Sequence, residues 1–314
     1  MKNVDYHIIP YNEEYNESLV ELEKGIIQGK RIQLEIIKDD FFSRAKAFNN
    51  TYSCIALTDS HKVIGSAIGA QTMIKVNGQQ YEAGFGFDTK VHPEWRSKRI
   101  GRMLAKDLYK QFFGPQGLSR NFMTAKLSNA PVLKLVSHAV SNTWLYDFIY
   151  LTIPTNTRVK QTVLKGAGQQ FSIQLSKREE LCKDYYIQLD SGLAYFNTYK
   201  MYRLNIQRIS WLYKQGISIL KSMQPSKYAG LPGEHDTISF ASLFNHTSEN
   251  IRGINEVLEN LESNGIKQLL VCCRKNDVIY QFLKNTAINQ YSYYLVADFK
   301  LNKHDEVGID VRCL

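Results

Sequence analysis

"VHPEWRSKRIGRML", Val91 to Leu104, decides how this chain is read. It follows a strand-like run and leads into Ile100, Met103, Leu104 and Leu108, spaced i, i+3, i+4 and i+8 as one face of a helix. Between the two stand His92, Arg96, Lys98, Arg99 and Arg102. A helix N-terminus carries about half a positive charge and N–H groups without intrahelical acceptors. Exposed cations there cost a fraction of a kcal/mol to ~1 kcal/mol each, and a bound polyanion reverses the sign. Two readings stand on charge alone: a solvated turn, or a loop that holds phosphate. Gly101 favours the second. Glycine inside a helical stripe costs up to ~1 kcal/mol relative to alanine, and it lets a ligand approach the backbone closely.

Outward from this stretch, the first half alternates strands and helices. Residues 6–10 read as a strand, and 15–24 as a helix with Leu19, Val20 and Leu22 towards a core. Residues 52–57 and 63–75 form a hairpin, and Asn77-Gly78 turns the chain into a strand over 81–91. Gly114 and Pro115 end the helix after the basic stretch. A strand over 122–127 precedes Asn129, an N-cap with Pro131 in the first turn. Val132, Leu135, Val136, Ala139 and Val140 make one apolar face, and 144–153 is a strand. The end of the chain repeats this order. Ile254, Val257, Leu258 and Leu261 form a helix stripe with Gly265 as its C′ residue, 266–273 is a strand, and Asn276 caps a helix. That helix carries Ile279, Phe282 and Leu283, and an aromatic strand over 291–299 closes the chain. "NAPVLKLVSHAV" aligns with "NDVIYQFLKNTA", which reads as an internal duplication.

A length of 314 residues suggests two domains, 1–155 and 156–314, divided at "LTIPTNT" (151–157). At 44% hydrophobic and 22% charged residues, the composition is that of a soluble globular protein. The net charge of +9 favours anionic partners. There is no zinc finger, RNP-type motif or long basic helix, so nucleic acid is not expected. The N-terminus has no apolar h-region and no apolar run approaches the ~20 residues of a bilayer span, so a cytoplasmic protein without a membrane partner is expected. The five cysteines show no paired metal spacing. Cys272 and Cys273 point to opposite faces of a strand and read as buried hydrophobes in a reducing compartment, so no metal is expected.

The pattern V-x-P-x-W-R-x-x-R-x-G-x-x-L, on Val91, Pro93, Trp95, Arg96, Arg99, Gly101 and Leu104, resembles the acyl-CoA-binding segment of the GNAT N-acetyltransferases. Their usual pattern is V-x-P-x-[YW]-[RQ]-x-x-G-x-[GA]. Arg99 stands where the family has its first glycine. Asn129 matches the asparagine that begins the family's next block, and the element order agrees over residues 4–153.

The resemblance implies an α/β (α+β) fold, a mixed, mostly antiparallel twisted sheet flanked by helices, arranged as two tandem GNAT-like domains. The second lacks a cofactor loop: residues 244–258 hold Arg252 and Gly253 but no basic cluster. The implied cosubstrate is acetyl-CoA. Main-chain groups at Thr89 and Val91 would pair with its pantetheine arm, and N–H groups of Arg96, Ser97, Lys98, Arg99, Ile100 and Gly101 would hold its pyrophosphate. Lys98 or Arg102 would reach the 3′-phosphate. Asn129 would touch the pantetheine arm or act only as a helix cap.

The implied reaction moves an acetyl or other acyl group to a primary amine of a small molecule or peptide. The alternative is a non-catalytic acyl-CoA-binding regulatory protein. Asp88 is the titratable residue of the implied strand, a base or a structural carboxylate. Val136 occupies the family's acid-tyrosine position, which leaves Tyr146 or Tyr150 as substitutes or as packed aromatics, with water as another proton source. Residues 195–215 interleave aromatics and bases, either lining a cleft or forming an amphipathic helix packed on the second sheet. No oligomeric state follows from the sequence.

Overall fold

The computed structural model describes residues 6–29, 31–139, 142–161, 168–176, 180–228 and 231–314. In chain order the elements are β1 (Tyr6–Pro10), α1 (Asn16–Lys24), β2 (Ile32–Ile37), β3 (Thr51–Thr58), β4 (Val63–Val76), β5 (Gln79–Val91), α2 (Ile100–Leu108), β6 (Asn121–Lys126), α3 (Ala130–Ala139) and β7 (Trp144–Pro154). Then come β8 (Phe171–Gln174), β9 (Tyr186–Gln188), β10 (Ala194–Phe196), β11 (Arg203–Ile209), α4 (Trp211–Met223), α5 (Pro225–Tyr228), β12 (Thr237–Ile238) and β13 (Phe240–Phe244). The chain closes with α6 (Ile254–Ser263), β14 (Gln268–Cys273), α7 (Val278–Leu283), β15 (Asn289–Ala297) and β16 (Val307–Asp310).

Among the described residues one sheet runs in the order β1-β3-β4-β5-β6-β15-β7-β14-β13-β10-β9, with β16 paired to β4 and β8 beside β16. The strand–helix–strand units anticipated at both ends of the chain are present. β5 and β6 are parallel and joined through α2; β13 and β14 are parallel and joined through α6. Each unit continues into a helix and an antiparallel strand. Those closing strands are exchanged. β15 pairs with β6, Tyr293 opposite Lys126, and β7 pairs with β14, Ile149 opposite Cys273. β7 and β15 pair with each other along nine residues at the centre of the sheet. The boundary expected at 155/156 thus follows a strand whose partners all lie in the other half. A second sheet, β12-β11-β2, also crosses the halves, with Leu204 opposite Ile36.

Side-chain alternation on these strands sends residues to two separate cores. Cys54, Ala67, Leu104 and Phe113 pack beneath α2, while Ile68, Phe85, Phe148 and Leu295 pack on the opposite face. A third core under α6 and α7 takes Ile149, Val271 and Cys273. Cys272 and Cys273 are free, fully buried and on opposite faces, as their adjacency requires. α2 lies close on the sheet because β4 offers Gly65. A Cβ there would stand 3.1 Å from Ile100 Cγ2 and 3.2 Å from Leu104 Cδ1. Each large apolar residue buried on this seam contributes ~1.5–3 kcal/mol.

Some expectations were displaced. The N-cap position of α7 is Asp277 rather than Asn276, and its side chain makes no cap hydrogen bond to the helix. Asp277 is completely buried and accepts from the N–H groups of Gln170, Phe171 and Arg274. Residues 195–215 form part of β10, then β11 and the first turn of α4. α4 buries none of its residues, so it is not a helix packed on the second sheet. Gly265 does adopt φ +72° after α6, and the Ile266 N–H returns to the Leu261 carbonyl.

Candidate functional site

The site begins where two parallel strands part. β5 and β6 pair only at Gly84–Asn121 and Phe85–Phe122. Beyond Phe85, β6 turns to β15, and the edge of β5 from Gly86 to Val91 has no partner strand among the described residues. A bulge drives the parting. Ser66 lies opposite Lys90 and Ile68 opposite Phe87, so Asp88 and Thr89 together face Ala67. Asp88 takes φ +46° to make that turn. The gap is an apolar slot lined by Gly86, Thr89, Leu108, Tyr109, Met123 and Val132. A Cβ on Gly86 would meet nothing within 4 Å, so this glycine opens into the slot.

Helix α2 relaxes into a π turn over Tyr109–Phe113, which carries Tyr109 to the slot wall. The Tyr109 hydroxyl donates to Asp298 at 2.9 Å, and the same carboxylate accepts from the Asn121 N–H and Nδ2, both at 2.7 Å. Burial, with the Asp298 carboxylate beside it, pushes the Tyr109 phenol far up, so it remains protonated. This group closes the end of the slot where β5 and β6 still pair.

At the other end lies the basic loop. Ser97 and Arg99 both have left-handed backbones, φ +67° and +65°. Arg99 is the N-cap of α2 and contributes no side-chain cap. The first hydrogen bond of α2 runs from the Met103 N–H to the Arg99 carbonyl. The N–H groups from Ser97 to Arg102 therefore have no backbone acceptor among the described residues. Arg96, Ser97, Lys98 and Arg99 are exposed, and none of the loop's Arg or Lys side chains has a carboxylate within ion-pair distance among the described residues. Lys98 Nζ sits 4.1 Å from the Trp95 ring centroid. Ile100 and Gly101 are buried.

Arg99 adopts a left-handed backbone conformation that favours glycine. A non-glycine residue in this region carries about 1 kcal/mol of strain. Arg99→Gly is therefore expected to raise the stability of the unliganded protein by about 0.5–1 kcal/mol while weakening polyanion binding through loss of one cation. Paired thermal melts with and without acyl-CoA check both halves of that expectation.

Asp88 faces the opposite side of the sheet, within a buried charge cluster. Lys38 Nζ lies 2.7 Å from Asp88 Oδ2 and 3.0 Å from Glu23 Oε2, and Lys90 Nζ lies 2.7 Å from Glu23 Oε1. Burial alone would raise the Asp88 carboxyl. The charges of Lys38, Lys90 and Arg44 outweigh it and hold the group at about 2. Burial lowers the Lys38 ammonium, and Asp88 with Glu23 more than restore it, leaving it raised. Arg44 lies over the Phe85 and Phe87 rings and donates to the carbonyls of Arg312 and Leu314.

Tyr146 lies elsewhere. Two strands, β6 and β15, separate its strand from β5, which places it ~14 Å away at ordinary strand spacing. It is 2% exposed; its hydroxyl donates to the Asp305 carbonyl at 2.6 Å and receives Arg274 Nη1. Burial lifts its phenol to about 12. The structure therefore does not bring Asp88 and Tyr146 together at one reacting carbon. Asn129 is exposed and caps α3, with its Oδ1 accepting from the Val132 N–H at 3.4 Å; Val132 in turn lines the slot. The side chains of Leu135, Val136 and Ala139, and all of Val140, lie outside the described residues. Glu23, Lys38, Arg44 and the Tyr109–Asp298–Asn121 group carried no local sequence signal. They are brought together from positions 15 to 189 residues apart.

The second half contrasts with this arrangement. Its loop before α6 satisfies its own N–H groups: Thr247 N–H donates to Asn250 Oδ1, and the N–H groups of Glu249 and Asn250 donate to Thr247 Oγ1. A Cβ on Gly253 would strike Ser191 at 2.5 Å. No cluster of three metal-ligating side chains occurs among the described residues, and none of their helices is long and apolar enough to cross a membrane.

Solved structures with this architecture exist. The chain is similar to N-myristoyltransferase of Saccharomyces cerevisiae with bound myristoyl-CoA: TM-score 0.57, 10% identity, 96% of this chain and 85% of the other covered. It is also similar to a GCN5-related N-acetyltransferase from Anabaena variabilis, with TM-score 0.50, 11% identity, and 93% and 72% coverage. The fold is GNAT-like. No family model matches the sequence, and no curated protein matches it. At such identities the likeness is one of fold. Both GNAT-like neighbours span most of this chain, so the likeness extends past the basic-loop half into the strand-exchanged second half.

Proposed function

We propose that this protein is an acyl-CoA-dependent N-acyltransferase, with acetyl-CoA as donor and a primary amine of a small molecule or peptide as acceptor. The observation that carries the reading is the parting of β5 from β6 after Phe85, beside a basic helix N-terminus with open N–H groups. Such a gap accepts an extended polar arm along the strand edge, and such a helix start accepts a pyrophosphate. Thr89 and Val91 offer the edge. Arg96, Ser97, Lys98, Arg99, Ile100 and Gly101 form the phosphate cradle, with Arg102 or Lys98 placed for the third phosphate. Asn129 fixes the start of α3 over the slot. The chain is read as two tandem GNAT-like units of which only the first keeps a cofactor loop. A cytoplasmic location follows from the acyl-CoA supply.

In the reaction the amine nitrogen attacks the thioester carbonyl carbon, and the C–S bond breaks with its electron pair on sulfur. The amine loses a proton and the thiolate gains one. Asp88, held at about 2, is a poor acceptor for the ammonium proton. Its role in this reading is to pin the bulge that opens the slot. Tyr146 is committed elsewhere, so water carries the protons. The same two facts favour a second reading, a non-catalytic acyl-CoA-binding protein. Release of free thiol from acetyl-CoA with a panel of amines decides between them. Binding without release across the panel selects the second.

The phosphate cradle has its own test. Arg96→Ala is expected to weaken acyl-CoA binding about tenfold, and Gly101→Glu to abolish it by setting a carboxylate beside the pyrophosphate. Titration calorimetry reads both. Unchanged affinity in both variants refutes the cradle.

A further inference from the structure

α4 presents its apolar side to solvent. Leu212, Ile219 and Met223, spaced i, i+7 and i+11, share one face and are 73%, 58% and 73% exposed. Tyr213 and Leu220 flank them, and Trp211 at the first turn is 68% exposed. Ile217 and Lys221, on the other side, are half-buried, as is Gly216 within the apolar stripe. A helix at a protein surface normally turns this stripe inward. Here the orientation is inverted, and it exposes six large apolar side chains on a single element.

The charge of the segment that carries the helix has one sign. From Arg203 to Gly233 the sequence holds Arg203, Arg208, Lys214, Lys221 and Lys227 and no Asp or Glu. Lys214 meets Glu234 at 2.5 Å and Arg203 meets Asp39 at 2.9 Å, both from outside this stretch. Arg208 and Lys221 have no carboxylate within ion-pair distance among the described residues. Arg31 adds a cation at the first turn, donating to the Tyr213 hydroxyl at 3.2 Å.

We propose that α4 is an interfacial anchor that seats the protein on an anionic lipid surface. Leu212, Ile219 and Met223 enter the headgroup–acyl boundary, Trp211 lies at its edge, and the cations beside the helix meet lipid phosphates. An amphipathic helix with apolar and aromatic residues on one face and lysines on the other binds membranes in this way, lying on the bilayer without spanning it. A second copy of the chain fits less well. Two-fold pairing through α4 sets two cationic borders together with no acidic residue on the helix to oppose them. The expectation of no membrane partner rested on the absence of a spanning segment, and the proposal departs from it because a surface anchor needs none. The proposal is independent of the acyl-transfer reading, since it uses no residue of the slot.

The test is co-sedimentation with vesicles of phosphatidylcholine alone and with added phosphatidylserine. Binding is expected only with phosphatidylserine and is expected to weaken with salt. The triple variant Leu212→Ser, Ile219→Ser, Met223→Ser is expected to lower partitioning about tenfold or more at an unchanged thermal midpoint, because the three side chains are exposed. If the triple variant misfolds, Arg208→Glu, at an exposed cation, supplies the same reading through charge. Failure of the wild-type chain to bind phosphatidylserine vesicles overturns the proposal. So does a dimer in velocity sedimentation that the triple variant disperses.

Discussion

Gly86→Leu is expected to abolish acyl-CoA binding and to leave the fold intact. The strand carries Gly86 past the last β5–β6 pair, and a Cβ there meets nothing within 4 Å. The added side chain therefore has room to exist, and the room it takes is the slot. Gly84, two residues earlier on the same face, supplies the contrast. A Cβ there would stand 2.2 Å from Asn121 Oδ1 and 2.6 Å from Phe113 Cδ1. Gly84→Ala is expected to destabilise the protein by about 1–3 kcal/mol, because the parallel pair must separate or Phe113 must leave its site. Thermal unfolding with and without acyl-CoA reads both. Ligand at a hundred times Kd adds ~2.7 kcal/mol to a binding-competent chain. Gly86→Leu should lose that increment at an unchanged apo midpoint. A full increment in Gly86→Leu moves the donor site elsewhere.

Lys38→Met is expected to cost about 3–5 kcal/mol. Lys38 is the shared partner of two buried carboxylates, Glu23 and Asp88, and removing it leaves Asp88 without its ion pair and Glu23 with Lys90 alone. The same cluster sets an acid limit. The Asp88 carboxyl is held at about 2 in the folded protein, below its ordinary 3.8. A depressed carboxyl contributes stability above its unfolded value and loses it as the pH falls towards the folded value. Wild-type stability should therefore drop by about 2 kcal/mol between roughly pH 4 and pH 2 from this group. In Asp88→Asn that part of the decline should vanish. The raised Lys38 ammonium acts at the other extreme. Its contribution is complete below its unfolded value and is lost as the pH rises through its folded value. Urea melts across the acid range measure the first effect. A decline of the same size in Asp88→Asn refutes the assignment.

What could be read along the chain was local. The amphipathic stripe of α2, the Asn77-Gly78 turn, the cap at Asn129 and the left-handed Gly265 each depend on residues within a few positions of one another. The basic loop was visible for the same reason, since misplaced charge at a helix start needs only a short window. Arg99 was visible as a departure from the resembled pattern, and its φ of +65° lies in the left-handed region that favours glycine. Short strands such as β9, β10 and β12, of three, three and two residues, carried too little periodicity to be seen.

The sequence by itself determined the strand–helix–strand units, their order and the basic helix start, because backbone propensity and side-chain period act over neighbouring residues. The tertiary structure alone decided three things. It exchanged β7 and β15 between the halves, since either closing strand offers an antiparallel edge and only packing selects between them. It drew Glu23, Lys38, Asp88 and Lys90 into one buried cluster, whose ion pairs exist only when three separate segments are desolvated together. It also turned the apolar face of α4 outward, because periodicity shows that a helix has two faces but not which of them meets the body.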